Sequence, residues 1–222
     1  MRAHRLQFVA HLAILASIGL GASLLSGCGA AVSGRALVVL DAGHGGRDPG
    51  AVCESVKEAD VNLAITERVA ALIEADERID VRRTRTLDIS MTLEDRIAVA
   101  NDADATLYLS VQSNACEYPD ATGVVTLVSD TLETGAPSWQ FAELLQDAVT
   151  DATAARDRGV RAQELYLHRA EMPAALIEVG FLTNDEERTQ LTDSSYQQTV
   201  AQGIYEGIIT YLEYADPSLA GP

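Results

Sequence analysis

Residues 36–40, Ala-Leu-Val-Val-Leu, are apolar without a break, the pattern of a strand covered on both faces. They run into Asp41-Ala42-Gly43-His44-Gly45-Gly46-Arg47-Asp48-Pro49-Gly50, where glycines let the backbone turn sharply beside a ligand. His44 is thereby placed at the carboxyl end of a strand, the edge at which open α/β sheets bind ligands; a tight turn with a surface histidine is the other reading. The period then changes. Val61, Leu63, Ala64, Val69, Leu72 and Ile73 recur at helical spacing from about residue 59 to 75, with Asp60 and Glu67 on the polar side. A short strand follows at 79–83, and Thr92 with Asp95 offers capping chemistry for a helix running through Ile97 to Asn101. Residues 105–111 and 124–128 read as strands, and 141–153 as a helix; Gly135 and Pro137 oppose a helix in the interval 129–140. Residues 165–167 and 174–179 are strand-like and too close in sequence for a parallel crossover, so they are expected to pair as a hairpin. Asn184 with Glu187 starts a helix, residues 196–214 supply the last one, and the chain from Pro217 is expected to fray. This alternation predicts an α/β fold: a single domain with a mainly parallel twisted sheet, helices on both faces and one antiparallel strand pair.

The amino terminus changes the picture of where that domain works. Arg2 and Arg5 precede an uncharged, mostly apolar run over residues 6–25 that ends in Leu25-Ser26-Gly27-Cys28. Charged, apolar and small-residue regions in that order read as a secretory signal, and the residues before Cys28 resemble a bacterial lipobox. That resemblance implies lipidation of Cys28 after cleavage, with residues 1–27 as signal peptide and 28–35 as a short linker. The apolar run is also long enough for an uncleaved membrane helix. Either way the remaining domain, residues 36–215 with a tail at 216–222, faces an extracytoplasmic space. The 222-residue chain carries a formal charge of −17, which becomes about −19 without the two leading arginines. Such an acidic surface excludes nucleic acid as a natural partner. Cys53 and Cys116 both follow strand ends on one rim, and an oxidising compartment permits a disulfide between them, metal binding and free thiols being the alternatives.

Four places line up with the strand ends. His44 follows the first strand, Glu58 lies just before the first long helix in Lys57-Glu58-Ala59-Asp60-Val61-Asn62-Leu63, Gln112 follows the 105–111 strand in Ser110-Val111-Gln112-Ser113-Asn114-Ala115, and Glu178 ends Met172-Pro173-Ala174-Ala175-Leu176-Ile177-Glu178. With the 96–101 helix end and the continuation Val179-Gly180-Phe181-Leu182-Thr183-Asn184, this set resembles the zinc-dependent N-acetylmuramoyl-L-alanine amidases of the type-3 family over nearly all of residues 36–214. The resemblance implies that zinc is the cofactor, that His44 and Glu58 are metal ligands and that Glu178 is the general base. It also implies peptidoglycan as the substrate; with the lipobox-like residues before Cys28, a lipid-anchored protein at the periplasmic or cell surface is expected, as a monomer. The third ligand position departs from the family: Gln112 stands where a second histidine is expected. A neutral amide oxygen is a poorer zinc donor than imidazole, so metal affinity is expected to fall. His168 and Cys116 are the candidates to replace it. A weakened or inactive amidase-fold protein that binds peptidoglycan or a partner, and a metallopeptidase acting on another envelope peptide, are the other readings. Some family members insert a regulatory helix after the 124–128 strand; the short 129–140 interval leaves no room for one.

Overall fold

In the computed structural model, which describes residues 35–115 and 117–220, the chain runs β1 (Ala36–Ala42), β2 (Val52–Cys53), β3 (Val56–Lys57), α1 (Glu58–Glu74), β4 (Ile79–Arg83), α2 (Leu93–Asn101), β5 (Leu107–Asn114), β6 (Val124–Ser129), α3 (Pro137–Thr153), β7 (Asp157–Gln163), β8 (Ala174–Phe181), α4 (Asp185–Thr192) and α5 (Ser194–Ala215). Six strands form one sheet in the order β4-β1-β5-β8-β6-β7. The first four are parallel, and β6 and β7 are parallel to each other but run antiparallel to β8. From β1 the chain goes through α1 to β4 on one side and returns through α2 to β5 on the other. Strand order therefore reverses between β1 and β5, and such a switch point opens a crevice beyond the carboxyl ends of the two strands.

The sheet's two faces bury separate apolar layers, as continuous apolar strands require. Val38 and Leu40 point into the larger layer, where Val61, Ile65 and Val69 of α1, Phe141 and Leu145 of α3, and Ile204 and Ile208 of α5 pack. Val39 and Tyr108 point into the smaller one, covered by Ile97 and Ala100 of α2 and by Leu167. The expected fold class holds: one α/β domain with a mostly parallel sheet and helices on both faces.

Several local expectations need correction. The antiparallel partner of β8 is β6, and residues 166–169 form a 3₁₀ turn with Leu167 buried against the second layer. The Leu165-Tyr166-Leu167 alternation mimics a strand, yet its apolar groups are spent on packing instead. The sixth strand is β7, Asp-Arg-Gly-Val-Arg-Ala-Gln, an exposed edge strand whose polar sequence carries no strand signal. Pro137 does not oppose α3 but begins it, because a first-turn proline gives up an N–H that has no helical partner anyway. No helix occupies residues 130–136, ahead of α3. Residues 217–219 form a 3₁₀ turn capped by Asp216, and the Leu219 carbonyl accepts from Arg78 at 3.2 Å, so this part of the tail is tied down.

Residues 1–34, and with them Cys28 and the signal-like run, lie outside the described residues, as does Cys116. Among the described residues no helix is long and apolar enough to cross a membrane.

Candidate active site

His44 leaves β1 in a left-handed conformation, with φ of 60°. Its Nδ1 donates to Asp48 Oδ2 at 2.7 Å, which turns Nε2 toward Glu58 Oε1 at 3.2 Å. Glu58 is the first residue of α1 and is buried. Its Oε2 accepts from the Ala51 N–H at 2.9 Å, and Oε1 accepts from Asn62 Nδ2 and from the Ser113 N–H, each at 3.3 Å. The hydrogen bond to Glu58, opposed by burial and joined by Asp48, pushes the His44 imidazole up to about 9. Burial works to raise the Glu58 carboxyl, but His44 and the Ala51 N–H together hold it below its usual range. Gly50 makes this approach possible: its φ is +65°, and a β-carbon there would lie 2.5 Å from Glu58 Oε2 and 2.8 Å from His44 Cδ2.

Gln112 and Glu178 are cross-strand neighbours in the parallel β5/β8 register. The Gln112 amide lies across Gly43, where a β-carbon would come within 2.1 Å of Nε2. Glu178 ends an apolar run, and its Oε2 is buried with no hydrogen-bond partner. Burial, together with the negative charge of Glu58 and against the opposing charge of His44, pushes the Glu178 carboxyl up to about 8. A buried carboxyl oxygen without a donor is costly. Its presence beside a second carboxylate marks a place that a cation or a reacting group would complete.

Below the site, two buried arginines hold the turn. Arg96 pairs with Asp41 at 2.6 Å and donates to the carbonyls of Ala42 at 2.8 Å and His44 at 2.7 Å. Arg85 donates to the carbonyls of Ala42 at 2.8 Å, Gly43 at 2.9 Å and Ala59 at 2.8 Å. The strained backbone at His44 is thus clamped through its own carbonyl oxygens.

Comparison with known proteins places the domain in a family. The Amidase_3 family profile, described as N-acetylmuramoyl-L-alanine amidase, matches residues 38–210. The chain belongs to this amidase family. It is 35% identical over 177 residues to the uncharacterized protein YqiI of Bacillus subtilis, covering 79% of this chain and 84% of that protein. It is 32% identical over 207 residues to the germination-specific N-acetylmuramoyl-L-alanine amidase of the same species, covering 84% of each. The crystal structure of an N-acetylmuramoyl-L-alanine amidase from Clostridium difficile 630 superposes with a TM-score of 0.78 at 33% identity, covering 81% of this chain and 98% of that one.

Within the amidase domain, His44, Glu58, Gln112 and Glu178 meet at the β1/β5 switch point and the neighbouring end of β8. Among the described residues no three His, Cys, Asp or Glu side chains gather as a metal cluster. His168 engages the Leu165 carbonyl through Nδ1 at 2.8 Å within the 3₁₀ turn. The hairpin expected to carry it toward β8 does not form. Cys53 is a free thiol in β2, and its expected partner is outside the described residues. Sequence reasoning missed Asn62, Asp48 and the clamping role of the arginines. The spacing of Asn62, four residues after Glu58 on one helix face, was the available signal.

These shifts predict how the metal-free domain responds to pH. His44 and Glu178 both bind protons more tightly folded than unfolded, so stability falls as pH rises: through the window from 6.5 to about 9 for His44 and from 4.5 to about 8 for Glu178. Thermal unfolding in chelator should show a melting temperature that drops from pH 5 to pH 9, with a shallower slope in Glu178→Gln.

Proposed function

We propose that the protein hydrolyses the amide bond between N-acetylmuramic acid and L-alanine in peptidoglycan, with zinc held by His44 Nε2, Glu58 and the amide oxygen of Gln112. The orphaned Glu178 oxygen near the His44–Glu58 pair carries this reading, because it leaves a buried carboxyl group uncommitted to any protein donor next to the side chains that would hold the metal. Asp48 supports it by holding Nδ1, which aims Nε2 at the Glu58 carboxylate, the side on which a metal would bind. When bound, zinc lowers the pKa of water and polarises a carbonyl oxygen.

The chain's own groups do the rest. Glu178 takes a proton from the attacking water as its oxygen bonds to the lactyl carbonyl carbon. It returns the proton to the L-alanine nitrogen as the carbon–nitrogen bond breaks, so that one water is consumed and a carboxylic acid and an amine are released. The Arg96 and Arg85 clamps keep His44 in place through both stages. In the same reading Cys28 carries the lipid anchor, which holds the domain on the outer side of a membrane within reach of the wall.

Gln112 favours a second reading, a weakened or inactive amidase that binds peptidoglycan without cutting it. Incubating the purified protein with peptidoglycan separates the two. Release of peptides with a free L-alanine amino terminus, abolished by chelator and restored by zinc, is expected. Gln112→His should raise both zinc affinity and release, since imidazole replaces an amide oxygen. Zinc binding without release in either form would establish the non-hydrolytic reading.

A further inference from the structure

The Gln112 amide has a single orientation. On one side Asn62 Nδ2 donates to the Gly43 carbonyl at 3.4 Å and to the Glu58 carboxylate at 3.3 Å, two groups that only accept. Asn62 Oδ1 in turn accepts from Ser113 Oγ at 3.0 Å, so the Asn62 amide has one orientation, with its NH₂ toward Gln112. That NH₂ lies 3.5 Å from Gln112 Oε1. On the other side the Ser110 hydroxyl gives its single proton to Asp41 Oδ2 at 2.8 Å. Its oxygen is left to accept, and it accepts from Gln112 Nε2 at 3.2 Å. A flipped amide would set oxygen against oxygen at Ser110 and NH₂ against NH₂ at Asn62.

We infer that Ser110 and Asn62 are positioning residues that lock the Gln112 amide with its oxygen on the Glu58 side, as an oxygen ligand, and that this narrows the site's preference for zinc over manganese(II). The inference rests on the proposed reading of the site as a metal centre. One imidazole nitrogen with a carboxylate oxygen and an amide oxygen is a harder donor set than two imidazoles with a carboxylate, and oxygen donors suit manganese where imidazole suits zinc. The lock matters because a free amide would offer its NH₂, which repels a cation, for part of the time.

The test is equilibrium binding of zinc and, separately, of manganese(II) to the full chain, with folding followed by circular dichroism. Gln112→His should raise the zinc-to-manganese affinity ratio about 10-fold or more, and Gln112→Met should weaken both metals by at least about 10-fold. Ser110→Ala should weaken both metals in the parent chain and have no further effect in Gln112→Met. A purely structural Ser110 would cost the same in both backgrounds. Unchanged binding in Gln112→Met, an unchanged ratio in Gln112→His, or additive losses in the double variant would each overturn the inference. Hydrolysis is read separately. Metal binding that depends on Gln112 without peptide release leaves the inference standing and removes the proposed function. Peptide release by a chain whose metal binding ignores Gln112 does the reverse.

Discussion

Glu178→Gln should lower peptide release from peptidoglycan by about 10²- to 10⁴-fold, the usual contribution of a positioned acid–base group, while zinc content and the folded state persist. Glutamine keeps the volume of the side chain within β8 and gives up only the ability to carry a proton. The carboxyl gains its basicity from burial and from Glu58, and the orphaned Oε2 leaves one oxygen uncommitted to any protein donor. A carboxylate needed merely for folding would be saturated by donors, as Asp41 is. Parallel measurement of muropeptide release and bound zinc checks the expectation. Equal loss of zinc and activity would move Glu178 into the ligand set.

Arg96→Met should cost about 3–5 kcal/mol of stability, the range for removing one partner of a buried ion pair. The Arg96 and Asp41 side chains are 3% and 0% exposed, so Asp41 would be left out of water without its ion-pair partner, the nearby Arg85 being engaged with backbone carbonyls. Methionine retains much of the volume and none of the donors. The His44 carbonyl would also lose its bond from Arg96, so metal affinity should fall along with stability. Urea unfolding of the single variant and of Arg96→Met with Asp41→Asn measures this. The double variant, freed of the stranded charge, should recover part of the loss.

What could be read in the sequence followed from how each segment spends its apolar groups. β1 and β5 were legible because both faces of these central strands are covered, which leaves an unbroken apolar run in β1 and a mostly apolar one in β5. β7 was not: it pairs on one side only, and its Arg161-Ala162-Gln163 end is exposed like a loop. Residues 165–167 misled because the same leucines that would line a strand pack a 3₁₀ turn equally well. In the site, His44, Glu58, Gln112 and Glu178 each stand beside an apolar strand or a helix start, but it was their joint resemblance to an amidase family that singled them out, since an acid such as Glu58 in a first helical turn is ordinary on its own. Arg85 was hidden for a physical reason. Its partners are backbone carbonyls, which every residue has, so no pattern of side chains announces them.

One carboxylate under the site has a wider effect. Asp41 accepts from Thr84 just beyond β4 at 2.6 Å, from Arg96 of α2 at 2.6 Å, from Ser110 of β5 at 2.8 Å and from Tyr166 of the 3₁₀ turn at 3.3 Å. Four segments of the chain thus close on a single residue of β1: departure of α2 would take away the cation paired with it, and departure of any of the others would take a hydroxyl donor from a buried carboxylate. The floor of the cleft has no low-energy partial opening of the kind that loops permit. Its geometry lasts as long as the domain does, and thermal damage to the cleft and loss of the whole fold become one event.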